Sequence, residues 1–281
     1  MNEVDFRAGS IIKETVQNLQ DQLGDNLANL TIERVVIGLF FTGVKLSNGQ
    51  GGACFTPVKT IPEAVCCPSS AKAMPSSGQF RGKKARDLLA DALSGNSLKK
   101  ALGIAIINAL TATCWERNRP HDYCIEKGND ALEGLEIPDN AYVVVVGALA
   151  PILRVLKKRE RPFGILEIDP RTLKPDEMPF YFPPDQVPKQ VPQADILVIT
   201  GTTLINDTLE GLLALAKPEA KILVVGPTVS MLPEAFFRRG VETLGGILVT
   251  KPDELLDVIS EAGSGYHFFG KSAERIVVHP K

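Results

Sequence analysis

The run Thr200-Gly-Thr-Thr-Leu-Ile-Asn-Asp-Thr208 gathers four threonines, an asparagine and an aspartate in nine residues. It follows an apolar stretch, Ala194 to Thr200, and precedes a helical pattern. Hydroxyls and amides at such a strand-to-helix turn can hold an anion, because the first N–H groups of a helix are unpaired and the helix dipole is positive there. Helix capping by Thr203 or Asn206 would explain part of the run, but so many polar groups exceed what a cap needs. Gly201, Thr202, Thr203 and Asn206 are therefore candidate ligand-binding residues. Gly226-Pro-Thr-Val-Ser-Met231 repeats the arrangement after Lys221-Ile-Leu-Val-Val225 and adds Gly226 and Thr228, where Thr228 or Ser230 could equally serve as a cap.

Two further turns carry groups suited to chemistry. Gly147-Ala-Leu-Ala-Pro151 follows the run Ala141-Tyr-Val-Val-Val-Val146, so Gly147 and Ala148 are candidates for close backbone approach to a ligand. A dinucleotide fingerprint needs three glycines in this turn. Only one is present, which argues against tight NAD binding, and a tight turn without a ligand remains open. Glu167 and Asp169 close the next apolar run about 20 residues on, where an acid holds ribose hydroxyls in nucleotide-binding folds. Two residues apart on a strand, they share a face. They are candidates for acid/base catalysis or for anchoring a hydroxyl, while Asp169-Pro170 also reads as an ordinary strand-ending turn.

These turns need elements to position them. Strands are expected at 141–147, 163–168, 195–200, 221–226 and 246–250, alternating with helices, one of them running from Pro252 to Ala262. Continuous β-branched runs of this kind are buried parallel strands. In an open parallel sheet the ligand lies beyond the carboxyl ends of the strands, where the strand order reverses. Residues 170–193 hold seven prolines and are expected to be irregular. Before this unit, an amphipathic helix is expected over residues 4–23, then a small antiparallel meander over 32–56 turning at Ser47-Asn48-Gly49. A long loop over 57–83 and helices over 84–93 and 97–113 complete the N-terminal part. The second helix is apolar nearly all round and should be buried. Asn108 lies within it, and a buried amide needs partners. It is the first N-terminal candidate for closing over the strand tips, although bonding to backbone alone would also satisfy it. Thr42, Gly51, Gly52 and Cys54 of the meander come after it. The change from meander and helices to alternation near Pro138 divides the chain into 1–138, an α+β unit, and 139–281, an α/β unit.

Composition narrows the function classes. The 281 residues include 33 acidic and 31 basic side chains, so the chain is near neutral and lacks the basic excess of a nucleic-acid binder. The N-terminus has early acids and no apolar core of a secretory signal, and no apolar stretch is long enough for a bilayer span. The five cysteines are odd in number and unevenly spaced, unlike a secreted disulfide framework. A cytoplasmic protein is expected, without membrane or nucleic-acid partners. Adjacent Cys66 and Cys67 lack a nearby histidine, and the three histidines are scattered, so no metal site is expected. The expected partner is a small molecule, with a homo-oligomer left open.

Leu102-Gly-Ile-Ala-Ile-Ile-Asn-Ala109, Val146-Gly-Ala-Leu-Ala-Pro151, Leu166-Glu-Ile-Asp-Pro170, Thr200 to Thr208 and Val225-Gly-Pro-Thr-Val-Ser-Met-Leu-Pro233 resemble the putative heavy-metal chelation family. The resemblance spans nearly the whole chain. It implies an α/β protein with an enolase-N-terminal-like α+β domain followed by a Rossmann-like domain of mostly parallel sheet with flanking helices, partly similar to methyltransferases. It also implies a cleft between the domains and a role in making or handling a metal-chelating molecule of pterin, flavin or siderophore type. The activity that follows is condensation or hydrolysis of a heterocyclic precursor, with no cofactor assigned. The alternatives are a methyltransferase-like protein using S-adenosylmethionine or a related nucleotide-like ligand, and a non-catalytic metal-chelate binder. The single glycine of the 147–151 turn argues against S-adenosylmethionine, and Asp169 argues for it.

Overall fold

A computed structural model describes residues 10–60, 72–118 and 120–281. The helix expected over 4–23 is seen as α1, Ser10–Leu23; residues 1–9 lie outside the described ones, as do Cys66 and Cys67. The meander has three strands, β1 (Ile32–Ile37), β2 (Phe41–Leu46) and β3 (Gly51–Phe55), paired antiparallel in that order. Residues Ala85–Leu93 wind as a 3-10 helix rather than the expected α-helix. The tighter winding places Ala85, Leu88, Leu89 and Ala92 on the side packed against the next helix. That helix, α2 (Ser97–Arg117), is buried on nearly every side and is capped by the Asn96 side chain, which accepts from the N–H groups of Leu98 and Lys99. α2 lies directly on β3: a side chain at Gly52 would collide with the backbone of Ala105 and Ala109.

The rest of the chain builds an eight-stranded sheet. Its strands are β4 (Tyr123–Lys127), β5 (Val143–Val146), β6 (Phe163–Leu166), β7 (Tyr181–Phe182), β8 (Ile196–Thr200), β9 (Lys221–Val225), β10 (Val241–Val249) and β11 (Ala273–Pro280). Across the sheet they run β4-β11-β10-β9-β8-β5-β6-β7. The six strands from β7 to β10 are mutually parallel, while β11 is antiparallel to both β10 and β4. Counted from β5, the parallel strands have the order 3-2-1-4-5-6 of doubly wound nucleotide-binding folds. The order reverses between β5 and β8.

Alternate residues of the central strands enter different cores, so their apolar runs are continuous. Val143 and Val145 pack with Ile152, Leu153 and Leu156 of α3 (Ala150–Lys158). Val144, Leu197 and Ile199 join the core that also holds Ile104, Ile106 and Ile107 of α2. A third cluster joins Phe41 and Ala53 of the meander to Ile247 and Val249 of β10 and to Leu255, Leu256 and Ile259 of α7 (Pro252–Ser260).

Several elements depart from expectation. β10 begins five residues before the strand expected from 246. β4 and β11 were not expected at all, and β4 precedes the position near Pro138 yet belongs to the large sheet. β4 is a short edge strand of mixed polarity, and β11 mixes buried, half-buried and exposed positions, so neither has the apolar run of a central strand. The Pro-rich residues 170–193 form a succession of 3-10 turns, the two-residue β7 and the four-residue α4 (Val187–Gln190). No helix of the described residues is long and apolar enough to cross a membrane.

Candidate functional site

The strand reversal places the tips of β5, β6 and β8 side by side. Gly147 leaves β5 with φ +100°, a conformation that side chains other than glycine's rarely adopt. A Cβ there would lie 2.8 Å from Cγ2 of Thr200, so the β5 tip packs directly on the β8 tip. Gly147 donates its N–H to Leu166 O at 2.9 Å, which ties it to β6 as well.

Glu167 stands beside this junction. Its Oε2 accepts from Ala148 N at 2.9 Å, and its Oε1 accepts from Ile168 N at 2.7 Å and Asp169 N at 3.0 Å. The carboxylate thus binds the first β-to-α turn to the second. With about four acceptor positions on a carboxylate and three in use, Oε2 can still accept a hydroxyl.

The turn after β8 faces Glu167. The Thr200 hydroxyl accepts from Thr202 N and Thr202 Oγ1, Thr203 Oγ1 donates to Thr200 O at 2.7 Å, and Thr208 Oγ1 donates to Asn206 Oδ1 at 2.7 Å. Neither Thr203 nor Asn206 caps the next helix, α5 (Leu209–Leu215), whose first turn has no side-chain cap. Asp207 sits at φ +58° and pairs with Nζ of Lys100 at 2.5 Å. Lys100 comes from the buried side of α2 and is itself 5% exposed, so the N-terminal part fixes this turn through a partly desolvated ion pair.

Between these groups lies a pocket of about 140 Å3. Gly147, Glu167, Thr200, Thr202, Thr203, Asn206 and Thr208 give it polar walls, and Val146, Leu166, Ile168, Pro184, Val187 and Leu212 give it apolar ones. Five residues picked out by sequence, Gly147, Glu167, Thr202, Thr203 and Asn206, line it. Thr200 and Thr208 were not singled out, although they bound the same polar run. Gly201 is buried under Thr228 and Val229, and Ala148 turns its N–H to Glu167.

The other candidates sit elsewhere. Asp169 does not line the pocket. Arg171 grips it through Nε at 2.8 Å and Nη2 at 3.0 Å, and Lys59 reaches it at 2.7 Å. These cations, Arg171 first, hold its carboxyl well below the usual carboxylate range. Thr228 is buried, and its hydroxyl accepts from Phe55 N at 3.2 Å. Asn108 donates from Nδ2 to Ala53 O at 2.8 Å, Thr228 O at 3.1 Å and Pro227 O at 3.2 Å. Gly226 borders a different cavity, on the far side of the 147–151 turn. The N-terminal part therefore meets the strand tips at three turns: Phe55 and Asn108 on the turn after β9, Lys100 on the turn after β8 and Lys59 on the turn after β6.

The expected role in handling a metal-chelating molecule invites a look at the thiols. Cys54 and Cys114 are buried, and burial pushes both thiols up, that of Cys114 to about 12. Among the described residues no three His, Cys, Asp or Glu side chains come together as a metal site would require.

The fold and these tips define a two-part α/β protein with a Rossmann-like sheet and a small-molecule-sized pocket at its switch point. A model of the family described as putative heavy-metal chelation matches residues 130–278, more than half of the chain, and a companion model with the same description matches residues 20–111. The chain belongs to this family. It is 30% identical over 177 residues to an uncharacterised protein of Methanocaldococcus jannaschii, covering 62% of this chain and 64% of that one, so it spans less than two thirds of that relative. Two solved structures of family members of unknown function share the fold. One, from Pyrococcus horikoshii, has a TM-score of 0.73 at 19% identity, covering 96% of this chain and 99% of its own. The other, from Desulfitobacterium hafniense, has a TM-score of 0.72 at 19% identity, covering 98% of this chain and 99% of its own.

Proposed function

We propose that this chain takes a hydroxyl-bearing, metal-chelating organic molecule of pterin, flavin or siderophore type into the switch-point pocket and condenses or hydrolyses it there. The observation that carries this is the pairing of Glu167, with an acceptor position left on Oε2, and the hydroxyls of Thr200, Thr202 and Thr208 across one small, partly apolar pocket. Such a wall suits a ligand rich in hydroxyls with a planar apolar body. Its single carboxylate makes Glu167 the hydroxyl anchor and the group placed to move a proton. Asp169, held ionised by Arg171 and Lys59, latches the N-terminal part over the tips. The family's association with heavy metals then belongs to the organic chelator, in keeping with the described residues, among which no three His, Cys, Asp or Glu side chains are grouped to hold an ion.

Calorimetry of the full chain with a pterin, a flavin, a catechol-bearing siderophore fragment and free divalent metals tests this. At least one organic chelator should bind saturably, and Thr202→Val and Glu167→Gln should each weaken it by about tenfold, the loss expected for one hydrogen bond in a partly buried site. Stoichiometric binding of a free metal with no response to any chelator would sink the proposal.

A further inference from the structure

A second cavity, of about 190 Å3, opens on the opposite side of the 147–151 turn. Its walls are mostly apolar, with Leu149, Pro151, Val225 and Ile247 among them, and Asn129, Asp130 and Arg275 supply its polar side chains. It lies at the carboxyl end of β9, where ligands of such sheets bind. Gly226 forms part of its floor at φ +122°, and a Cβ there would meet nothing closer than Gly201 N at 4.0 Å, so the backbone is bare toward open space.

Arg275 is the cation of this cavity. Its guanidinium lies over the Phe269 ring, 4.6 Å from the centroid, and its Nε faces Asp130 Oδ2 at 3.3 Å. Asp130 is turned toward its own loop, where Oδ1 accepts from Leu132 N at 2.9 Å. One face and one edge of the guanidinium are thereby fixed. Nη1 and Nη2 form no hydrogen bond among the described residues, and they make the edge of the fork that matches a carboxylate. A planar cation already held in place loses little freedom when it binds. The other polar side chain of the lining, Asn129, gives its Nδ2 to Glu126 at 2.9 Å and so is directed away from this task.

We infer that this cavity binds an aromatic carboxylate of one ring, the ring against the apolar wall and the carboxylate on the Nη edge of Arg275. The cavity has room for one ring with a substituent, and its mostly apolar wall suits the face of such a ring. An aromatic acid with a ring nitrogen or hydroxyl next to the carboxylate is itself a bidentate metal ligand, so the class accords with the proposed function. It rests on that proposal for its biological sense and not for its geometry.

The test titrates the full chain with benzoate, pyridine-2-carboxylate and the neutral isostere benzamide by calorimetry. Both acids should bind saturably, with benzamide weaker by about tenfold or more. Arg275→Met should weaken the acids by about tenfold, and Arg275→Lys by less, since it keeps the charge but loses the fork. Thr202→Val, in the other pocket, should leave them within about twofold. Leu149→Trp, which fills the cavity, should abolish binding and carries the test if Arg275→Met does not fold. Equal binding of amide and acid, no saturable binding of either acid, or acid binding unweakened by Arg275→Met or by Leu149→Trp would overturn the inference. Acid binding lost on Thr202→Val and kept on Arg275→Met would overturn it while leaving the switch-point pocket standing.

Discussion

Single residues in this protein serve both fold and site, and their removal separates the two. Asn108 gives its amide to carbonyls on β3 and on the turn after β9, while its Oδ1 is buried without a hydrogen-bond partner. Asn108→Leu would strip buried carbonyls of their donor, at roughly 1–3 kcal/mol for each group left unpaired. It should lower the urea midpoint markedly while leaving the switch-point pocket intact in any variant that still folds. Gly147→Ala should cost about 1–3 kcal/mol, because φ +100° strains a side chain and its Cβ meets Thr200. Thr200→Ser, which deletes the colliding methyl, should recover the packing part of that loss and not the backbone part; full recovery in thermal melts would show that φ carries no strain. Residue types at this scale were partly legible in the sequence. Gly147, Glu167, Thr202, Thr203 and Asn206 share one pocket because each follows a strand, and parallel strands end together. Thr228 and Asn108 are drawn elsewhere by Phe55 and Ala53, partners more than fifty residues away that no local spacing encodes, and Asp169 is held by its neighbour Arg171 together with the distant Lys59.

At the scale of elements, burial decides what a sequence discloses. β5, β8 and β9 have both faces covered, so they read as unbroken apolar runs. β4 lies at the sheet edge with its last two residues exposed, and five residues of mixed polarity give no period to read. The joints between elements depend on charge that pattern does not show. Glu14 of α1 accepts from Arg238 at 2.7 Å and from Arg239, which tie α1 to the end of α6 (Glu234–Phe237). The Arg239 contact leads in lowering its carboxyl from the ordinary 4.5 to about 2. A depressed carboxylate stabilises the fold above its unfolded value and loses that contribution as pH falls through the folded one. The stability owed to Glu14 should therefore be complete above pH 4.5 and vanish by about pH 2. Glu14→Gln should lower the urea midpoint at pH 7 and converge with the parent near pH 2. An equal deficit at both pH values would assign the effect to packing.

Over the whole molecule, the two parts distinguished by their sequence patterns share a core. The largest apolar cluster runs without a break from Ile11 and Leu19 of α1 through Ile104 and Ile107 of α2 to Val144, Leu197, Ile199 and Val224 of the parallel sheet. A second bridge joins the meander to β10 and α7 through Phe41, Ala53, Ile247 and Leu256. The sheet also draws its edge strand β4 from before Pro138. Domains that fold independently keep their apolar clusters to themselves, and contacts that cross between them are few and polar. Here the face of the sheet formed by Val144, Leu197 and Val224 has α2 and α1 as part of its cover, and exposing it would place a broad apolar patch in water. The chain should therefore unfold in one cooperative transition, with calorimetric and van't Hoff enthalpies in agreement. A fragment of residues 139–281 should aggregate or bind hydrophobic dyes rather than fold. Two resolved transitions in the full chain, or a monomeric fragment with a sharp melt of its own, would show that the shared core is an interface between two self-sufficient domains.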